Sequence, residues 1–157
     1  MLRKILLIFT ISRFYFLALA LIASMIIPLR SGYIGSELAK NVGYFTWIWA
    51  NFDGRHYLDI ATIGYKYYDF AFFPLYPFTV FLAKGLLNAP PVYLAEVLSL
   101  IYFFLSLLII YKIVKIDYKD NIAVLTILVI SFFPLSFFYH SIYADSLFLL
   151  LSFLFLS

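Results

Sequence analysis

The sequence predicts an all-α polytopic membrane protein, and three observations carry that reading. Of its 157 residues 66% are hydrophobic and 22% aromatic, with a mean hydropathy of +1.03. A soluble domain of this size has too little interior for so much apolar surface. Apolar runs of membrane-span length recur along the chain, and Lys and Arg collect mainly at their ends, where topology places them. The chain has no cysteine, which excludes disulfide frameworks, thiolate metal sites and cysteine nucleophiles. A formal charge of +3 without any basic run leaves nucleic acid out as a partner.

In chain order, residues 5–28 form the first expected span. Its basic start and long apolar run read as an uncleaved signal anchor, closed by Pro28 and Arg30. Residues 29–91 form a long outer loop that begins with a glycine-containing turn at 31–35. It continues into a stretch ending in Trp47 and Trp49, which fit an aromatic belt at headgroup depth. Residues 70–88 are apolar, but Pro74 and Pro77 oppose a helix interior. Too few residues separate Pro77 from Pro90 for a crossing, which needs about 20. An interfacial helix is expected there. Further spans follow at 92–111 and 122–138, and an incomplete one at 146–157. The whole is one transmembrane domain that reads as the N-terminal portion of a longer chain.

Charge decides the topology. If 70–88 crossed the bilayer, Lys112, Lys115 and Lys119 would fall outside, against the positive-inside tendency. An interfacial 70–88 returns these lysines to the side of Arg3 and Lys4. It also brings Asp53 and Asp145 to one outer face.

The chemistry concentrates in residues 51–77, where Asp53, Arg55, His56, Asp59, Lys66 and Asp69 lie among aromatics. Charges between membrane segments are costly in lipid and cheap at an interface, which makes the stretch a candidate site. Asp53-Gly54 reads as a turn before a helix over 55–64, with Asp53 at or near the N-cap. Capping alone accounts for such a residue; a carboxylate at a wet membrane cavity can also serve as a general base. Arg55 and Asp59 are spaced for a surface ion pair. His56 can bind a phosphate or a sugar hydroxyl, and a packed histidine is the plainer alternative. Asp145 heads the last helix, again as a candidate cap, with Ser141, Tyr143 and Ser146 beside it. No phosphate-cradling loop, HExxH or nucleophile elbow is present, which argues against a soluble nucleotide donor.

Read together, Phe52-Asp53-Gly54-Arg55-His56-Tyr57-Leu58, Ile60-Ala61, Gly64-Tyr65 and Phe72-Phe73-Pro74-Leu75-Tyr76-Pro77 make an ordered set. It continues with Phe132 to Phe138, Ser141, Tyr143, Asp145, Ser146, Leu147 and Phe148. The set resembles membrane mannosyltransferases of the GPI-mannosyltransferase-II type, within the GT-C superfamily. Phe52 stands where that pattern has Trp, and Asp145 where it has Glu. The resemblance implies a GT-C-like N-terminal transmembrane module with interfacial helices in its first extracytoplasmic loop. It implies inverting transfer of mannose, or a related hexose, from a polyprenyl- or dolichyl-phosphate donor to a hydroxyl of a glycan or glycolipid acceptor. It also implies a multi-pass protein of the cell membrane, or of the endoplasmic reticulum in a eukaryote, with its site facing outward or to the lumen. Asp53 is then the catalytic base, and Arg55, His56, Tyr57, Lys66, Tyr143 and Asp145 the substrate-binding set. No cofactor or metal is expected. The competing readings are a non-catalytic accessory subunit, a transporter fragment or an inactive remnant of such an enzyme. A transporter should carry charges mid-span and repeat its architecture, whereas most charges here lie at span ends.

Overall fold

From Met1 to Ile27 the chain has neither glycine nor proline to interrupt a helix. In the computed structural model, which describes residues 1–27 and 43–156 apart from the Tyr44 side chain, this stretch is one helix, α1 (Leu2–Ile26). The turn expected at 31–35 lies outside the described residues. The chain resumes in a short helix, α2 (Tyr44–Trp47), which tightens into a 3-10 turn at Ile48–Ala50. Then come α3 (Asp53–Ile63), a 3-10 turn at Asp69–Ala71 and α4 (Leu75–Leu86). The remainder is α5 (Pro91–Asp117), α6 (Asp120–Phe132), a 3-10 turn at Pro134–Phe137 and α7 (Asp145–Leu156). No strand occurs among the described residues.

Helices α1 and α5, of 25 and 27 residues, are long and apolar enough to cross a membrane. Helices α4, α6 and α7 have 12, 13 and 12 residues. At 1.5 Å per residue each is roughly 18–20 Å long, short of a ~30 Å hydrocarbon core. The prolines of the 70–88 segment begin α4 rather than break it. Pro74 is its N-cap and Pro77 lies in its first turn, where a missing N–H costs nothing. The apolar run at 122–138 is likewise divided: α6 stops at Phe132, because Pro134 disfavours helical backbone at Phe133.

Helix α5 is the packing axis, contacting α7, α6 and α4 along its length and α1 more briefly. One core joins Trp47, Tyr57, Leu58, Tyr76, Val80, Ala95, Ile142 and Leu147. A second joins Ile5 and Ile8 of α1 to Phe103, Leu107, Ile110 and Ile127. The outward faces are also apolar: Tyr93, Val97, Ile101 and Leu105 form a stripe on α5, and Phe148, Leu151 and Phe155 one on α7. Helices that are apolar all round belong in lipid. Trp47 and Trp49 correct an expectation. They are only 3% and 1% exposed, so they are core residues and not belt anchors.

Charged pairs mark the two ends of the bundle. At one end Lys4 Nζ lies 2.8 Å from Asp120 Oδ2, and Tyr111 donates its hydroxyl proton to the same carboxylate. Toward the other, Glu96 Oε1 lies 3.2 Å from His140 Nε2. The helix between Glu96 and Asp117 measures roughly 30 Å by its rise.

Between them Arg13, 4% exposed in the middle of α1, faces inward. Its guanidinium donates to Ser136 O at 3.0 Å, Ser131 O at 3.1 Å and Ser136 Oγ at 2.6 Å. It also stacks over Phe103, 4.5 Å from the ring centroid. No carboxylate among the described residues pairs with it. It instead satisfies the Ser131 carbonyl, released where α6 ends at the negative end of that helix dipole, and adds a bond to Ser136 O in the turn that follows. Arg13→Ala should therefore lower stability by about 2–5 kcal/mol, through orphaned carbonyls and lost packing. Arg13→Lys, which lacks the planar fork, should recover only part of it. Thermal unfolding in detergent measures both, and an unchanged melting temperature in Arg13→Ala would remove Arg13 from this role.

Candidate functional site

The site is built on a turn. Gly54 N–H donates to Asn51 O at 3.1 Å. Phe52, at φ 52° and ψ −116°, has the dihedrals of the first central position of a type II′ turn, a position that favours glycine. A bulky residue there stores strain of about 1–3 kcal/mol. The turn makes Phe52 the N-cap of α3 and Asp53 its first helical residue. Asp53 is thus not the cap, and no side-chain capping bond forms at this helix start.

Gly54 closes that turn as the second residue of α3, and its smallness has another cause. A Cβ there would stand 3.2 Å from Ile142 O and 3.5 Å from Trp49 O. The segment leading into α7 crosses at this point. Ile142 N–H donates to Trp49 O at 2.8 Å, and Tyr143 Oη–H donates to Asn51 O at 3.0 Å. Beneath the crossing His140 stacks on Trp49 with centroids 4.0 Å apart, and Trp49 on Phe137 at 5.0 Å.

This clasp brings Asp145, the first residue of α7, into the field of Asp53. Asp145 remains solvent-exposed at its edge, yet desolvation by surrounding atoms raises its pKa and the charge of Asp53 raises it further. Tyr57, buried against Phe72 and Tyr76, feels both acids. Burial first, then Asp53 and Asp145, push its hydroxyl up to about 12. A cleft of about 620 Å³ opens beside Asp53, lined by Asn51, Phe52, Tyr143, Ile48, Phe137 and Phe138. Ile48 and Phe137 are shared with an apolar groove of about 490 Å³, floored by Phe16, Leu19, Ala20 and Ala23 of α1.

Of the residues expected from sequence, Asp53, Tyr57, Tyr143 and Asp145 converge here. His56, one turn along α3, binds Asp69 through Nδ1 at 2.7 Å and stacks on Phe72 at 4.7 Å. Lys66 Nζ lies 3.5 Å from Asp59, the acid that the spacing assigned to Arg55. Arg55 itself is exposed on α3. Sequence reasoning missed Glu96 and His140 as parts of the site's frame, and named Asp69 in the candidate stretch without its bond to His56. A histidine eight residues after Phe132, inside an aromatic run, was the available signal for His140. A carboxylate three residues beyond Lys66, spaced to cap its own loop, was the signal for Asp69. Three or more metal-ligating side chains are nowhere grouped among the described residues.

A family model described as Mannosyltransferase (PIG-V) matches residues 1–156. No curated protein and no solved structure matches the chain.

Two outcomes follow from this geometry. Gly54→Ala must part the clasp by a few tenths of an ångström, so transfer activity should fall while the protein still folds; full activity would show that the close approach does not matter. Asp145 has a folded-state pKa above its unfolded value. The stability this contributes is fully present below the unfolded value and is lost as pH rises through the folded one. Asp145→Asn should therefore raise the melting temperature more at pH 7 than at pH 4. An equal shift at both would mean that the fold does not raise the Asp145 pKa.

Proposed function

The chain belongs to the PIG-V mannosyltransferase family, and on that premise we propose that it moves mannose from a polyprenyl-phosphate carrier to an acceptor hydroxyl at the extracytoplasmic or lumenal face. The observation that carries this reading is that Asp53, which lines the cleft, and Asp145, 92 positions further on, lie within each other's electrostatic reach. Asp53 accepts the proton of the acceptor hydroxyl as the oxygen forms its bond to the anomeric carbon. The bond from that carbon to the phosphate oxygen breaks on the opposite face. The phosphate departs with the electron pair, inverting the sugar's configuration. Arg55 and Lys66 supply positive partners for the phosphate, as donor groups placed where charge develops, and His56 supplies a hydrogen-bonding partner for a sugar or acceptor hydroxyl. Tyr143, which lines the cleft, together with Tyr57 and Asp145 near Asp53, makes up the rest of the substrate-binding set. No cofactor or metal enters the scheme.

The surroundings support a lipid-borne donor. The apolar groove on α1 adjoins the Asp53 cleft through Ile48 and Phe137, so a tail can lie in one while its phosphosugar lies in the other. The orientation follows from charge. Arg3, Lys4, Lys112, Lys115 and Lys119 gather around the Lys4–Asp120 end, which the positive-inside tendency assigns to the cytosol. The acidic cleft lies toward the opposite end of α5. In this arrangement α4 rests at the outer interface, and the whole corresponds to a GT-C-type transmembrane module.

The direct test is mannosyl transfer by the protein in liposomes containing a polyprenyl-phosphate-mannose donor. Asp53→Asn keeps the side chain's size and removes its charge, and no side-chain capping bond is lost because Asp53 makes none. The rate should fall by about 10²- to 10⁴-fold, the usual contribution of a positioned base. An unchanged rate would exclude Asp53 as the base.

A further inference from the structure

Next to the loop that follows α3 stands a carboxylate, Asp69, to which the transfer scheme gives no role. Asp69 has a side chain only 5% exposed, deep for a carboxylate in a surface loop. Its Oδ2 accepts Lys66 N–H at 2.9 Å, and its Oδ1 meets His56 Nδ1 at 2.7 Å. Burial opposes its charge, but the bonds from His56 and from the Lys66 amide outweigh that and hold its pKa below the ordinary carboxylate value. An ionised carboxylate has no proton to give, so Nδ1 must be the donor in this pair. The ring is fixed from a second direction by Phe72, parallel to within 15°. The His56 side chain is nonetheless 40% exposed. It lies one turn from Asp53 on α3, where residues three apart have Cβ atoms roughly 5–6 Å from each other.

We infer that Asp69 is a positioning residue: it locks His56 in one ring orientation and one tautomer, so that Nε2 presents a lone pair to a hydroxyl of the sugar or the acceptor. The inference takes its substrate from the mannosyltransferase reading; its geometry stands apart from that reading. Only the loop's folding brings the two together, since 13 positions separate them. The local bond from the Lys66 amide sets which oxygen of Asp69 faces the imidazole.

That same bond makes Asp69→Asn a sharp test. The Lys66 N–H requires an acceptor where Oδ2 now stands, so the asparagine oxygen must turn toward it. The amide NH₂ is then left against His56 Nδ1, which must become the acceptor. Shape and both hydrogen bonds survive, but the imidazole proton moves to Nε2. A tautomer error of this kind, at preserved geometry, disables a histidine that acts through its far nitrogen.

The experiment has two arms on the full chain. With heavy-nitrogen-labelled histidine, NMR at a pH where the ring is neutral resolves two residues, His56 and His140. His56→Ala identifies the His56 signals. The wild type should show a protonated Nδ1 and a bare Nε2 at His56, and Asp69→Asn the reverse. In the kinetic arm, Asp69→Asn should lower kcat/KM by about 10- to 100-fold, the cost of one misplaced hydrogen bond. It should cause no further loss in a His56→Ala background. An identical tautomer in wild type and Asp69→Asn would overturn the inference, as would an undiminished loss in the His56→Ala background. If the wild type transferred no mannose, the functional reading would fall and the NMR arm alone would decide the tautomer.

Discussion

The structure depends on a crossing of two backbone segments. Ile142 N–H reaches Trp49 O at 2.8 Å, and Tyr143 Oη–H reaches Asn51 O at 3.0 Å across 92 positions of sequence. Closing a loop of that length costs about 4 kcal/mol from its length dependence alone. Two hydrogen bonds return only about 1 kcal/mol each, so they cannot drive the closure. The apolar core does. Ile142 is fully buried with Trp47, Ala50, Leu58 and Leu147, and one such side chain contributes about 1.5–3 kcal/mol. The hydrogen bonds decide the register within that core. Gly54 lets the two backbones come close enough to form them. Asp53 and Asp145 meet because each lies within three residues of the crossing.

A second constraint is the treatment of polar groups inside an apolar bundle. Arg13 is spent on carbonyls freed at the end of α6 and on Ser136, and so fixes the 3-10 turn that carries Phe137. Phe137 is the wall between the acidic cleft and the apolar groove. Glu96 and His140 tie α5 to the segment leading into α7, directly under Trp49. Arg13, Glu96 and His140 thus secure boundaries of the cleft, while the faces of α1, α5 and α7 that look outward are mainly apolar. The division matches lipid, which tolerates no unsatisfied polar group at its centre.

Much of this was legible in the residue order. Composition and run length are local properties, and they sufficed for an all-helical membrane protein with helices near 5–28 and 92–111. The prolines at 74 and 77 foretold that the 70–88 segment would not be one long helix. The aromatic and acidic motifs pointed to Asp53 and Asp145. What stayed hidden depends on contacts between distant segments. Gly54 reads as a turn glycine until Ile142 is seen above it. Trp47 and Trp49 read as interfacial until the crossing covers them. The task of Arg13 shows only once α6 is found to end beside it. The partner of Asp59 was mistaken because i, i+4 spacing favours Arg55, while the loop after α3 turns Lys66 back toward it.

The account stands on both carboxylates facing one compartment, away from the lysine-rich end. The chain has no native cysteine, so single cysteines report cleanly. Asp53→Cys, Asp145→Cys and Lys115→Cys proteins in sealed vesicles of one orientation can each be treated with a membrane-impermeant thiol reagent. The account predicts that positions 53 and 145 react from the same side and position 115 only from the other. Labelling of 53 and 145 from opposite sides would contradict it.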